Sequence, residues 1–369
     1  MREQMSGAVQ ARRAIQRAQA ERYVLITLVA FATSVIVTRV YLELTGYPQI
    51  GSGNLHIAHV LWGGLLLYIA ALLPLTLLNR AALTWSALLS GIGIGLFIDE
   101  VGKFITRDVD YFYPPAAPII YAFFLLSVLF YFFVRRPARH DPRAELYRAI
   151  EELPPLVDGV LLAQERQEIR ERLTYAQQSA DPRVAALATI LATHLTDEQA
   201  RLAVSAPGLV QHLRQKVVHW GYKLGPRRHR RIILCLVGLQ GLAALLQIGL
   251  LTLFALTPDL LSQPLGELLV TDNQLRSVDD LPWFLTRLGL QCAIGLIALF
   301  AFILLVRGQV AAGVKAAIFA VAFSLTTVVL LTFYLDQFGA IATALFQLVL
   351  LLFFVAYRQW YLSGSTGLA

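Results

Sequence analysis

Two histidines and two carboxylates stand out among the ionisable residues of this chain, because they lie in or beside its apolar segments. His56 and His59 occur in the sequence HIAH, and Asp99 and Glu100 end the sequence GIGIGLFIDE. Ionisable side chains at membrane depth are costly in free energy, so they usually mark a site or an internal ion pair. Imidazole and carboxylate groups can bind a metal ion or relay protons. These four residues are therefore the first candidates for function.

The spacing of these residues predicts that they share a depth in the membrane. His56 and His59 lie three residues apart, so their rings project from one face of a helix, and Gly63 continues that face. The connection LLNRAALT is short, which makes the flanking segments antiparallel neighbours. At equal helical rise, His59 then lies level with residue 102 and within a turn of Asp99 and Glu100. Gly91 and Gly95, each followed by a small or acidic residue four positions on, predict close helix packing.

Three further ionisable residues extend the candidate site. Arg39 and Glu43 lie four residues apart near the end of the first apolar segment, and Lys103 follows the acidic pair. The candidate residues that bind a ligand or proton are Arg39, Glu43, Asp99, Glu100 and Lys103. The candidate metal ligands are His56, His59, Asp99 and Glu100.

The same residues admit a structural, a metal-binding and an anion-binding interpretation. In the first, Arg39 pairs with Glu43 or Asp99, and Lys103 with Asp99 or Glu100, because buried charges need partners. In the second, the histidines and one or two carboxylates hold a divalent, zinc-like ion, which the nearby Arg39 and Lys103 oppose. In the third, the glycine-rich turn before His56 places a helix N-terminus beside basic groups that suit a phosphate or a lipid headgroup.

The elements that would position these residues are membrane helices. The chain of 369 residues is 57% hydrophobic and 15% charged, and its apolar runs reach the length of about 20 residues that a helical span needs. We therefore predict an all-α polytopic membrane protein with eight spans. The predicted spans are 23–45, 55–78, 83–105, 116–134, 232–256, 284–306, 313–335 and 339–357.

These spans divide the chain into two halves around an insert. We predict a cytoplasmic amphipathic segment over 1–22, a first four-span half over 23–134, a cytoplasmic helical insert over 135–230, and a second four-span half over 231–369 with an external loop at 257–283. Arginines concentrate on one side of this arrangement and acidic residues on the other, so the positive-inside rule places both termini in the cytoplasm of a bacterial inner membrane. The net charge of +7 is explained in this way, so no nucleic-acid partner is expected.

The insert reads as a small bundle of amphipathic helices. Asp141-Pro142 and Asp181-Pro182 are each typical of a helix start, with aspartate as the N-cap and proline at the first helical position. Leu161, Ile169 and Leu173 are expected on a shared apolar face. The insert would either dock a cytosolic protein or pack against the membrane helices.

An internal repeat is a further hypothesis. FIDEVG (97–102) is similar to YLDQFG (334–339), each at the end of the third span of its half. A repeat of four spans would be parallel, with its axis along the membrane normal. In the second half Asp336-Gln337 replaces Asp-Glu, so the chemistry would lie in the first half.

Taken together, these features favour an integral membrane protein that binds or transports a small ion or polar solute at an outward-facing site. Two alternatives stay open: a metal-dependent membrane hydrolase acting on lipid or peptide, and a non-catalytic scaffold or sensor. Cys235 and Cys292 both lie in apolar runs and are expected to be small core residues.

Overall fold

The fold is that of a helical membrane protein. The computed structural model describes residues 14–46, 59–106, 113–136, 141–157, 161, 163–195, 209–256 and 277–362. It is 88% helical, and no strand occurs in these ranges. Eight helices are long and apolar enough to cross a membrane: Ala20–Thr45, His59–Thr76, Arg80–Asp99, Ala116–Val134, Gly225–Gly249, Leu281–Val306, Val310–Leu335 and Gln337–Leu362, here spans 1 to 8. The predicted all-α polytopic fold is confirmed.

Several spans begin or end at a break in the helix. Span 3 ends at Asp99, and after Glu100 a short helix follows over Val101–Ile105. The continuous helix predicted over 83–105 is therefore interrupted, because Glu100 leaves the helical geometry with φ −92° and ψ 8°. Span 7 consists of the helices Val310–Thr326 and Val328–Leu335, and span 8 starts two residues after the second of these. Asp336, between them, accepts a hydrogen bond from the Gly339 N–H at 2.9 Å and so caps span 8.

Span 5 is continuous with the end of the insert. Two helices meet at Gly225 within Leu209–Leu256, and Gly225 itself is not helical, with a φ of +67°. Glycine adopts a positive φ without steric strain, and Pro226 after it suits the first turn of a new helix. The membrane-length part therefore starts at Gly225 rather than at the predicted residue 232.

Contacts within the chain define two compact units. The first contains the described parts of residues 1–38, 47–96 and 127–214, and the second those of 39–46, 97–126 and 215–369. In the first unit, Ser86 of span 3 donates a hydrogen bond from Oγ to the Ala70 carbonyl at 2.7 Å, and a Cβ on Gly93 would lie 2.9 Å from the Gly63 carbonyl. The predicted antiparallel packing of spans 2 and 3 is confirmed by these contacts.

The insert forms a small bundle of its own. Its helices run over Pro142–Glu151, Pro154–Val157, Ala163–Ala176 and Pro182–His194. Asp141 and Asp181 cap two of them by accepting from the Arg143 and Arg183 N–H groups, as the two Asp-Pro sequences predict. The predicted apolar face is also confirmed, because Leu161, Ile169 and Leu173 are buried together.

Ion pairs fix the insert to the N-terminal segment and to the connection between spans 2 and 3. Arg80 of that connection pairs with Glu165 at 2.7 Å, and Arg17 pairs with Glu151 at 2.9 Å. Inside the insert, Glu152 is buried, and its Oε2 lies 3.2 Å from the Nε of Arg172. Burial raises the pKa of Glu152, and the positive charges of Arg172 and Arg80 oppose that rise.

The second unit is held together by an apolar core of its own. Val321 and Leu305 lie at its centre with Phe354 of span 8. Tyr121 of span 4 enters this core and donates its hydroxyl proton to the Leu325 carbonyl at 2.8 Å, which satisfies its one polar group inside an apolar environment.

Candidate functional site

The site begins with a buried ion pair between spans 1 and 3. The Arg39 Nε donates to Asp99 Oδ1 at 2.6 Å. The Asp99 side chain is 0% exposed and that of Arg39 only 5%. A guanidinium and a carboxylate removed from water require each other, because either one left alone would be an uncompensated buried charge. Asp99 is one of the two partners that the structural interpretation offers for Arg39, and the structure shows this pair.

A third member comes from the far end of the chain. The Arg39 Nη1 donates to Gln337 Oε1 at 2.7 Å, and Gln337 is the buried first residue of span 8. The guanidinium therefore links span 1 to span 3 through Nε and to span 8 through Nη1. A planar group with several fixed donors suits this role better than a lysine ammonium would.

The second acidic residue has its own cation. Glu100 is 0% exposed and forms an ion pair with Lys103, three residues further on, whose side chain is 20% exposed. Glu100 occupies the break between span 3 and the helix Val101–Ile105. We call the five residues Arg39, Asp99, Glu100, Lys103 and Gln337 the ion-pair cluster.

The packing of span 1 against span 3 explains why Arg39 meets Asp99. The Thr27 and Ser34 hydroxyls of span 1 donate to the Ala87 and Ile92 carbonyls of span 3, at 3.0 and 3.2 Å. With the Arg39–Asp99 bond, these contacts join residues 60, 58 and 60 positions apart in sequence, which is the register of two parallel helices.

Glycines on span 3 permit this close approach. A Cβ at Gly91 would lie 2.3 Å from the Thr27 carbonyl, and one at Gly95 would lie 2.6 Å from Ser34 Cβ. The predicted close approach is confirmed, and these two glycines contact span 1, whereas Gly93 contacts span 2. The face that carries Gly91 and Gly95 thus leads along span 3 to Asp99.

Of the remaining predicted site residues, the structure describes Glu43 and His59. Glu43 is exposed, one turn beyond Arg39. His59 is half-buried at the start of span 2 and belongs to the first unit, whereas the cluster belongs to the second. His56 lies outside the described residues, as does most of the external loop predicted at 257–283.

A metal centre finds limited support. Within the described ranges, no group of three or more His, Cys, Asp or Glu residues is placed to hold a metal ion. Asp99 and Glu100 are each paired with a basic side chain, and that positive charge opposes a dication at the same carboxylates. Because His56 is not described, the zinc-like site and the hydrolase that depends on it stay predictions.

Gln337 is the member of the cluster that sequence reasoning missed. The similarity of FIDEVG to YLDQFG could have indicated Gln337 as a site residue, because it aligns Gln337 with Glu100 and Asp336 with Asp99. In both segments the acid-containing dipeptide lies at a break between two helices. The Arg287 guanidinium of span 6 lies 4.9 Å from the Phe284 ring centre. The repeat itself stays a prediction.

Comparison with known proteins adds no family. No family model, no curated protein and no solved structure matches the chain.

Proposed function

We propose that the protein binds a small ion or polar solute at the ion-pair cluster and transports it across the membrane. One observation carries the proposal: Asp99 and Glu100 are adjacent, fully buried and located at the break between span 3 and the short helix Val101–Ile105. Buried carboxylates inside membrane helices are typical of ion and proton pathways. Interrupted helices are typical of the substrate sites of secondary transporters.

The chemistry of the cluster is an exchange of partners. A proton or cation that reaches Asp99 competes with Arg39 for one carboxylate, because a protonated or cation-bound Asp99 no longer attracts the guanidinium. Arg39, once released, offers its donors to an anionic or polar solute. Lys103 is the most exposed basic member, so the Glu100–Lys103 pair is the point of entry from water.

The orientation belongs to the same proposal. The arginine-rich ends of the spans support a cytoplasmic location for the insert and both termini in a bacterial inner membrane. The cluster would then open toward the opposite side, and its solute would come from outside the cell.

Transport is tested by proton movement in liposomes that contain the purified protein and a pH-sensitive dye. A panel of monovalent cations, divalent cations, amino acids, sugars and inorganic phosphate is applied outside, one at a time. We expect one class of solute to change the internal pH, and Glu100→Gln to abolish that change. Gln347→Leu, in span 8, is the matched control and should retain it. Equal flux with Glu100→Gln would contradict the proposal.

A scaffold is the second candidate, and one observation favours it. Both buried carboxylates of the cluster already have cationic partners, and Glu145, Glu151 and Glu152 of the insert are also paired with the chain's own arginines. A cytosolic partner would then contact the exposed side of the insert, where Val157, Leu187 and Ile190 reach water.

The double variant Arg39→Met/Asp99→Leu separates the two candidates. Replacing a buried ion pair by apolar residues often leaves folding intact, so this variant should still insert and purify as a monodisperse protein. Loss of solute-dependent proton movement in the folded variant supports transport. A scaffold would tolerate the double change with no loss of partner binding.

A further inference from the structure

A basic pocket lies where the N-terminal segment, the end of span 4 and the insert meet. Its volume is about 190 Å³. Its lining includes a single carboxylate, that of Glu21, among the residues that the structure describes. The five basic residues that line it, here the arginine pocket, are Arg17, Arg135, Arg136, Arg148 and Arg172.

The charges of these arginines are only partly compensated. Arg148 and Arg172 share Glu145, at 2.6 and 2.8 Å, and Arg17 pairs with Glu151. Arg135 and Arg136 are exposed, and within the described ranges neither forms an ion pair. The two are therefore available to an anion, whereas the other three are held in place by carboxylates and shape the wall of the pocket.

The pocket lies at the boundary between membrane and water. Val134, the last residue of span 4, and Ala20, the first residue of span 1, both contribute to its lining. Lipid phosphates occupy this depth, and basic residues next to a membrane helix attract anionic lipids. The N-terminus of span 1 adds the positive end of a helix dipole on the same side.

We propose that the arginine pocket binds a phosphate group, and that the interfacial depth makes an anionic lipid headgroup its occupant. Guanidinium groups bind phosphate oxygens through two parallel hydrogen bonds. A headgroup with a net negative charge is further attracted by the uncompensated arginines, whereas the choline ammonium of a zwitterionic headgroup offsets that attraction. The cavity is smaller than the roughly 300–1,000 Å³ of sites for drug-sized ligands, which suits a headgroup. The proposal is independent of transport at the ion-pair cluster.

A phosphate bound in the arginine pocket would also join separate parts of the first unit. The arginines come from the segment before span 1, the end of span 4 and two helices of the insert. A phosphate bound between them would fasten the insert to the membrane surface, in addition to the Arg80–Glu165 pair.

The test compares two arginine pairs in the full-length protein in neutral detergent. Dioleoyl phosphatidylglycerol, dioleoyl phosphatidylcholine and inorganic phosphate are titrated separately, and bound molecules are counted by native mass spectrometry. We expect one phosphatidylglycerol to be retained in preference to phosphatidylcholine. Arg135→Gln/Arg136→Gln should weaken that binding by about 30-fold, from about fivefold per arginine. The control Arg227→Gln/Arg228→Gln, an exposed pair at the start of span 5, should leave this retained molecule nearly unchanged, because neither residue lines the arginine pocket.

Each result decides the question. Similar weakening by the two pairs would mean general attraction to basic residues and would overturn the pocket. Equal retention of phosphatidylcholine would overturn a phosphatidylglycerol preference. Saturation by inorganic phosphate without retention of phosphatidylglycerol would support the phosphate site and overturn the lipid as its occupant. Because Arg135 and Arg136 are exposed, the variant should melt at the wild-type temperature without ligand, which controls for folding.

Discussion

Arg39 Nε lies 2.6 Å from Asp99 Oδ1, and both side chains are almost completely removed from solvent. The strength of this pair depends on its being complete, because removal of one partner leaves the other charge buried and alone. Loss of either partner is therefore expected to cost more stability than loss of the whole pair.

The first prediction concerns the loss of stability when one member of the Arg39–Asp99 pair is replaced. Asp99→Asn should lower the free energy of unfolding by about 3–5 kcal/mol, because the buried Arg39 guanidinium loses the charge of the carboxylate that lies 2.6 Å from it. Arg39→Met/Asp99→Leu should recover most of that loss. Equilibrium unfolding in mixed detergent micelles measures both values. If the single and the double variants were equally destabilised, the charge would not be the cause.

A second prediction concerns Gln337. Gln337→Leu should destabilise the protein by about 1–3 kcal/mol, because Arg39 Nη1 loses a buried acceptor. Gln347→Leu in the same span is the control, since no hydrogen bond to Gln347 Oε1 is found in the described part of the chain. The same unfolding assay should show little change there. A larger effect at Gln347 than at Gln337 would disagree with the bond to Arg39.

The third prediction concerns the contact of span 3 with span 1. Gly91→Ala should destabilise by about 1–3 kcal/mol, because its Cβ would overlap the Thr27 carbonyl, an atom of the backbone that cannot rotate away. Gly64→Ala is the matched control in span 2, where a Cβ would meet nothing within 4 Å. It should be neutral or slightly stabilising, since alanine favours a helix over glycine. Thermal unfolding of the two variants side by side measures the difference.

The fourth prediction is a pH dependence of the insert. Because burial raises the pKa of Glu152, the folded state binds its proton more tightly than the unfolded state does. The contribution of Glu152 to stability is therefore greatest in acid and falls as pH rises from its ordinary pKa through its raised value. Glu152→Gln should remove this part of the slope. The difference in unfolding free energy between wild type and variant, followed between acid and neutral pH, tests the sign; a difference that does not change with pH would contradict it.

Much of the fold follows from local features of the sequence. Apolar runs of membrane length predict the eight helices, because a span must satisfy its backbone internally and face lipid. Asp141 and Asp181 before prolines predict two helix starts of the insert for equally local reasons. The partners of Arg39 and Lys103 could be narrowed to two carboxylates each, since a buried charge requires a counter-charge within reach.

The features of the site that the sequence does not predict depend on contacts between residues far apart in the chain. Gln337 lies 298 residues from Arg39. The sequence around a glutamine at the start of a span does not predict that its side chain is buried and accepts a hydrogen bond from a distant arginine. Gly91 and Gly95 predict that another helix packs closely against span 3, but they do not identify that helix. The short connection between spans 2 and 3 favours span 2 as the neighbour, whereas the structure shows that these two glycines contact span 1. The break at Glu100 is likewise a feature of the backbone that helix periodicity does not predict.

The parallel register of spans 1 and 3 constrains how this protein can move. A slide of one helical turn, about 5.4 Å, would break the Thr27, Ser34 and Arg39 bonds together, so the two helices must travel as one rigid body. Any conformational cycle therefore has to hinge elsewhere. The described chain has such breaks at Gly225 and at Thr327 and Asp336, the last two on either side of a helix of only eight residues.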